Sequence, residues 1–168
     1  MKKPGKTEKP VAPVATVGAT VAKALSGRTV VAEAPPNKNP GCLAVILTSR
    51  REIILQLRDE KPEIHWPGHW SLPGGGREPG ETPMDTILRE IKEETGITPD
   101  SIEEAAVTPY DPLKAPPHVF LGTWDGEESG LVLGEGQALR LVPLDQLPER
   151  MPPHIRHYIL QLTAVNSV

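Results

Sequence analysis

Apolar residues recur along this chain at two different spacings, and the changes of spacing mark its elements. From Gly41 to Thr48 the run Gly-Cys-Leu-Ala-Val-Ile-Leu-Thr is almost unbroken, as expected of a buried strand. Ser49 to Glu52 reads as a turn and Ile53 to Arg58 as the returning strand, so the pattern predicts a hairpin. Trp70-Ser71-Leu72 predicts a short strand running into the glycine-rich turn Gly74-Gly75-Gly76. The period then becomes helical: Met84, Ile87, Leu88 and Ile91 fall within one arc of about 100°, a core-facing stripe. Thr82 as N-cap, Pro83 at the first helical position, Asp85 closing a capping box and Gly96 at the left-handed C′ position bound this helix to residues 82–95.

Further strands are predicted over 102–108, 118–124 and 138–142, with a helical turn at 143–148. Asp125 to Gly130, acidic and glycine-bearing, reads as a mobile connection. Ile155, Tyr158, Ile159 and Leu162 recur at helical spacing and predict a terminal amphipathic helix over about 152–165. Pattern alone gives a mixed α and β domain.

Length and composition narrow the class. With 168 residues, 38% hydrophobic and 24% charged, the chain has room for one domain with a hydrophobic core, and no apolar run is long enough to span a membrane. Residues 1–39, rich in Pro, Ala, Val, Thr and Lys and lacking a sustained period, read as a disordered extension before a domain over 40–168. Residues 1–40 carry seven basic against two acidic side chains, so a total charge of −4 leaves −9 on the remainder. Such a surface does not suit duplex nucleic acid. Cys42 is the one cysteine, sits in an apolar run and fits a small core residue in a reducing cytoplasm.

The other face of the predicted helix carries the chemistry. Glu90, Glu93 and Glu94 lie three and four residues apart and share a side, where their charges repel. Hard divalent cations such as Mg²⁺ prefer oxygen ligands and readily share them with substrate phosphates, so a metal is the natural partner for the cluster. The preceding glycines allow bare backbone to approach a ligand.

The spacing Gly75, Glu81, Arg89, Glu90, Ile91, Glu93, Glu94, Gly96, Ile97 resembles the signature of the Nudix hydrolase family at every fixed position. This resemblance implies an α/β/α sandwich with a mixed β-sheet, and metal-dependent hydrolysis of a diphosphate linkage in a nucleoside triphosphate or a nucleoside diphosphate linked to another group. It implies Mg²⁺ or Mn²⁺ on Glu90, Glu93 and Glu94 with the Gly74 carbonyl as a further ligand. Arg89 corresponds to the arginine that orients the cluster, and Glu81 to a residue that fixes the loop. Glu135, within Glu135-Gly136-Gln137, resembles a glutamate that activates water in MutT-type members and is the candidate general base, with Glu93 as the alternative.

Arg58, Arg77 and Arg140 are candidates for charge near the phosphates. Trp66 and His154 are candidates for contact with the base, and His65 and His69 read as loop residues without metal-ligand spacing. His154 follows Pro152-Pro153 where MutT-type enzymes acting on oxidised guanine often carry asparagine, which argues against that specificity. Pro112 suggests an ADP-ribose-like diphosphatase. Retention of every box glutamate favours an enzyme over a non-catalytic Nudix-fold regulator, and Cys42 is misplaced for an isoprenoid diphosphate isomerase. The expected partner is a small-molecule nucleotide, with the protein a monomer or homodimer.

Overall fold

The computed structural model describes residues 40–164 together with the strand residues 22–23 and 29–30. The disordered extension expected over 1–39 falls outside the described residues, apart from an antiparallel pair of two-residue strands, β1 (Ala22–Lys23) and β2 (Thr29–Val30).

The main sheet has seven strands. The predicted hairpin forms as β3 (Cys42–Leu47) and β4 (Glu52–Leu57). β5 (Trp70–Ser71) joins β4, while β6 (Gly74–Gly75) pairs with the start of β3. Two of the three glycines expected in a turn are therefore strand residues. β7 (Ser101–Ala105) lies a little earlier than the predicted 102–108, because its register partners end at Val119. β8 (His118–Thr123) runs parallel to β3 in full register from Cys42↔His118 to Leu47↔Thr123. β9 (Ala138–Pro143) runs antiparallel along the whole of β4.

Alternation along the strands builds two cores. Ala44, Ile46, Ile54 and Phe120 pack against Ile87 and Ile91 of helix α1 (Pro83–Thr95). Val45, Ile53 and Leu55 face the opposite way and pack against Ile155 and Ile159 of helix α2 (Pro153–Ala164). The sheet thus lies between two helices in an α/β/α sandwich. Among the described residues no helix is long and apolar enough to cross a membrane.

Two expectations are corrected. Leu88, assigned to the core stripe, is 40% exposed, while Thr86 is fully buried. The loop before α1 folds over the Thr86 flank, where the Thr86 hydroxyl donates to Glu81 Oε2 at 2.7 Å, so the covered arc turns away from Leu88. Nor is Asp125–Gly130 a free connection. Ser49 N donates to Asp125 Oδ1 at 2.7 Å, Arg50 Nη2 donates to Gly126 O at 2.7 Å, and Glu128–Gly130 forms a 3₁₀ turn.

Candidate active site

The site begins with the start of α1. Thr82 caps it, its Oγ1 accepting from Asp85 N at 3.1 Å while Asp85 Oδ2 accepts from Thr82 N at 2.9 Å. Gly96 ends it at φ +74°. Fixing both ends sets the rotation of the helix and with it the directions of its carboxylates.

The loop before α1 is held by two arginines. Arg77 donates from Nε and Nη2 to the Glu81 carbonyl at 3.2 and 2.7 Å. Arg89 grips the Glu81 carboxylate through Nε at 2.6 Å and Nη2 at 3.0 Å, and its Nη2 also donates to Gly76 O at 3.1 Å. Hydrogen bonds from Arg89, from the Glu78 backbone and from Thr86 hold the Glu81 carboxyl down at about 2, and the carboxylates around Arg89 raise its own pKa further. The remaining Arg89 nitrogen, Nη1, reaches Glu90 Oε1 at 2.9 Å and Glu93 Oε2 at 3.2 Å.

The three glutamates sit in different surroundings. Glu93 has a largely exposed side chain, Glu90 is mostly covered, and Glu94 is buried at 5% exposure. Glu94 Oε2 accepts from Gly74 N at 2.8 Å. Burial pushes the Glu94 carboxyl up to about 8 against that hydrogen bond, and the charges of Glu90 and Glu135 act in the same upward direction. Burial also raises Glu90, opposed by Arg89 and assisted by Glu93 and Glu135. Glu135 lies in the loop before β9, which meets the end of α1 where Gly134 N donates to Glu94 O at 3.2 Å.

The glycines of β6 serve close approach. A Cβ on Gly75 would run into the Glu90 carboxylate, and one on Gly74 would run into the Cys42 carbonyl of β3. Among the described residues, no three acidic, histidine or cysteine side chains converge tightly enough to enclose a cation as they stand. Glu90 and Glu93 turn to Arg89, and Glu94 turns to the Gly74 N–H. The donor set nonetheless fits a hard divalent ion: it consists wholly of carboxylate and backbone oxygens around a patch of bare backbone.

The family model of the NUDIX domain matches residues 37–162. The chain belongs to the Nudix hydrolase family. A Bacillus subtilis (strain 168) protein provisionally named 8-oxo-dGTP diphosphatase is 29% identical over 119 residues, 71% of this chain and 76% of that protein. An RNA pyrophosphohydrolase of Erythrobacter litoralis (strain HTCC2594) is 34% identical over 91 residues, which span 53% of this chain and 54% of the relative. The MutT structure from Methanosarcina mazei Go1 superposes with a TM-score of 0.56 at 25% identity, covering 79% of this chain and 99% of that one. This Nudix hydrolase is accordingly an enzyme of the MutT-like fold.

The other candidate residues of the Nudix hydrolase divide between two places. Arg58 lines a cavity of about 90 Å³ with Gln56, Lys61 and Glu135. Trp66 and His154 meet in a separate cleft of about 350 Å³, with ring centroids 6.3 Å apart, shared with Tyr110, Asp111, Lys114, Pro116, Pro117 and Tyr158. Burial lowers the His154 pKa. Trp66 projects from a residue with φ +53°, a left-handed conformation uncommon for a bulky side chain. Its loop is tied down by Arg58 Nε donating to His65 O at 2.9 Å and by Gly68 N donating to Asp59 O at 3.0 Å. Arg140 pairs at 3.9 Å with Glu128 and does not join the box.

Three residues escaped sequence reasoning. Tyr110 looks like part of a proline-flanked turn, and only its aromatic character hints at the cleft. Tyr158 reads as core, yet its hydroxyl accepts from Tyr110 N at 3.2 Å and so positions that loop. Gln56 carried a visible signal: it is a polar residue inside the apolar run Ile53-Ile54-Leu55-Gln56-Leu57.

Proposed function

We propose that this enzyme hydrolyses a P–O–P linkage of a nucleotide with a divalent metal, Mg²⁺ or Mn²⁺, held by Glu90, Glu93, Glu94 and the Gly74 carbonyl. The observation that carries this reading is the gathering of Glu90 and Glu94 beside the bare backbone of Gly74 and Gly75, with the Glu135 loop bonded to the end of α1 through Gly134 N and Glu94 O. No stabilising purpose explains so many carboxylates sharing one partly buried place. A bound divalent cation supplies positive charge against the phosphate oxygens and acidifies water.

The protein's own groups account for the remaining steps. Arg89 holds Glu90 and Glu93 on one side while its grip on Glu81 fixes the loop. Arg58 and Arg77 supply cationic charge for the phosphates. Glu135, with Glu93 as the alternative, accepts the proton of the attacking water. The water oxygen bonds to phosphorus as the bridging P–O bond breaks, and the bridging oxygen leaves with its electron pair on the second phosphate product.

The Trp66 and His154 cleft would hold the base by stacking on aromatic faces. The two relatives described above are named as an 8-oxo-dGTP diphosphatase and an RNA pyrophosphohydrolase, which supports a nucleoside triphosphate or an RNA as the substrate class.

The test is turnover of a panel of nucleoside triphosphates, oxidised nucleotides, nucleoside diphosphate sugars, dinucleotides and 5′-triphosphorylated RNA with Mg²⁺, beside Glu93→Gln and Glu135→Gln. Phosphate or pyrophosphate release that requires the metal and falls about 10²- to 10⁴-fold in Glu135→Gln supports the reading with Glu135 as the base, whereas a fall confined to Glu93→Gln that excess Mg²⁺ does not restore points to Glu93. Nucleotide binding without turnover across the panel would replace it with a ligand-binding role.

A further inference from the structure

Gln56 is 4% exposed and sits on β4 two residues after Ile54. Strand side chains alternate, so Gln56 shares the face of Ile54, the α1 side of the sheet, where an apolar residue would be expected. Its amide is engaged there: Nε2 donates to the Glu135 carbonyl at 2.8 Å.

The loop from Gly134 to Gln137 is fastened by further bonds on either side of this contact. Gln137 N donates to Leu57 O at 2.8 Å, Gln137 Nε2 donates to Arg58 O at 2.8 Å, and Gly134 N donates to Glu94 O at 3.2 Å. Gly136 passes over β4 at φ +87°, where an added Cβ would lie 2.5 Å from Leu57 O and 3.1 Å from Gln56 Cγ. A side chain is thus excluded where the loop crosses the glutamine. Of these bonds, only that of Gln56 comes from a buried side chain and ends on Glu135 itself.

We infer that Gln56 is a positioning residue that ties the Glu135 loop to β4 and so sets the place of the Glu135 carboxylate. A buried amide that loses its acceptor incurs a desolvation cost, so the bond resists movement of the loop. The inference rests on the catalytic reading of Glu135 for its effect on rate, but not for its effect on the loop.

The test uses Gln56→Met, which keeps length and removes the donor, and Gln56→Leu should the first variant fail to fold. In metal-free protein, amide exchange across residues 134–137 should quicken in the variant while exchange in the cores stays at the wild-type rate. In the Mg²⁺-loaded enzyme, kcat should fall about 10- to 100-fold, as for other groups that orient ligands from behind, with the nucleotide KM nearly unchanged. Gln56→Met should add little further loss in a Glu135→Gln background. Unchanged exchange at 134–137 would overturn the inference whatever the substrate, as would a kcat loss that simply multiplies with that of Glu135→Gln. A wild-type protein without turnover but with the exchange difference would instead sink the hydrolase reading alone.

Discussion

Arg89 and Glu81 face each other across the box as a two-pronged ion pair, with Nε to Oε1 at 2.6 Å and Nη2 to Oε2 at 3.0 Å. The fork leaves Nη1 for Glu90 and Glu93, so one guanidinium links the loop to the helix face. Arg89→Lys keeps the charge and loses the fork. Activity should drop at least about 10-fold while the fold survives, measured as kcat/KM beside a thermal melt.

The same pair gives a pH signature. Glu81 titrates at about 2 when folded against an ordinary value of 4.5, so the folded state binds its proton less readily than the unfolded chain. Its contribution is complete above about pH 4.5 and disappears as pH falls through 2. Glu81→Gln should therefore lower the melting temperature at pH 7, and the gap to wild type should narrow steadily from pH 4.5 downward. A gap independent of pH would show that Glu81 stabilises by packing instead.

Local rules were legible in the sequence, and contacts made from a distance were not. The capping box of Thr82 and Asp85 and the Gly96 terminus depend on neighbours a few residues away, and they form as their spacing implies. The parallel pairing of Cys42 with His118 joins segments far apart in sequence, which no periodicity reports. Leu88 was misplaced for a related reason. Helical phase finds an apolar arc, but a loop covering Thr86 decides which part of the arc is buried.

That difference is measurable. Ile91 is fully buried among Ala44, Ile46, Ile54 and Phe120, so Ile91→Ala should cost about 2–5 kcal/mol of stability. Leu88→Ala should cost less than about 0.5 kcal/mol, as at most exposed sites. Equal losses in denaturant unfolding would return Leu88 to the core.

The adjacent glycines of β6 should fail in different ways. In Gly74→Ala the new methyl meets the Cys42 carbonyl, a strand backbone that cannot step aside, so stability should fall by about 1–3 kcal/mol. In Gly75→Ala it meets the Glu90 carboxylate, the far end of a flexible side chain. That variant should melt close to wild type yet lose about 10-fold or more in kcat, because the displaced group is a proposed metal ligand. Melting curves and Mg²⁺-dependent turnover of the two proteins separate the effects.

Trp66 tests the cleft independently of the box. It is 42% exposed, stands 5.2 Å from His69 and 6.3 Å from His154 between ring centroids, and makes up one wall opposite Tyr110. Stacking of a base on such a ring contributes about 1–3 kcal/mol, so Trp66→Ala should raise the nucleotide KM roughly 5- to 150-fold. Because no proton transfer passes through the cleft, kcat should change far less. Tyr110→Ala should act in the same direction, whereas Trp66→Phe should recover most of the affinity by restoring an aromatic face. If Trp66→Ala lowered kcat at unchanged KM, the cleft would not be the base site and the ring would instead be holding the Lys61 to His69 loop over the phosphates.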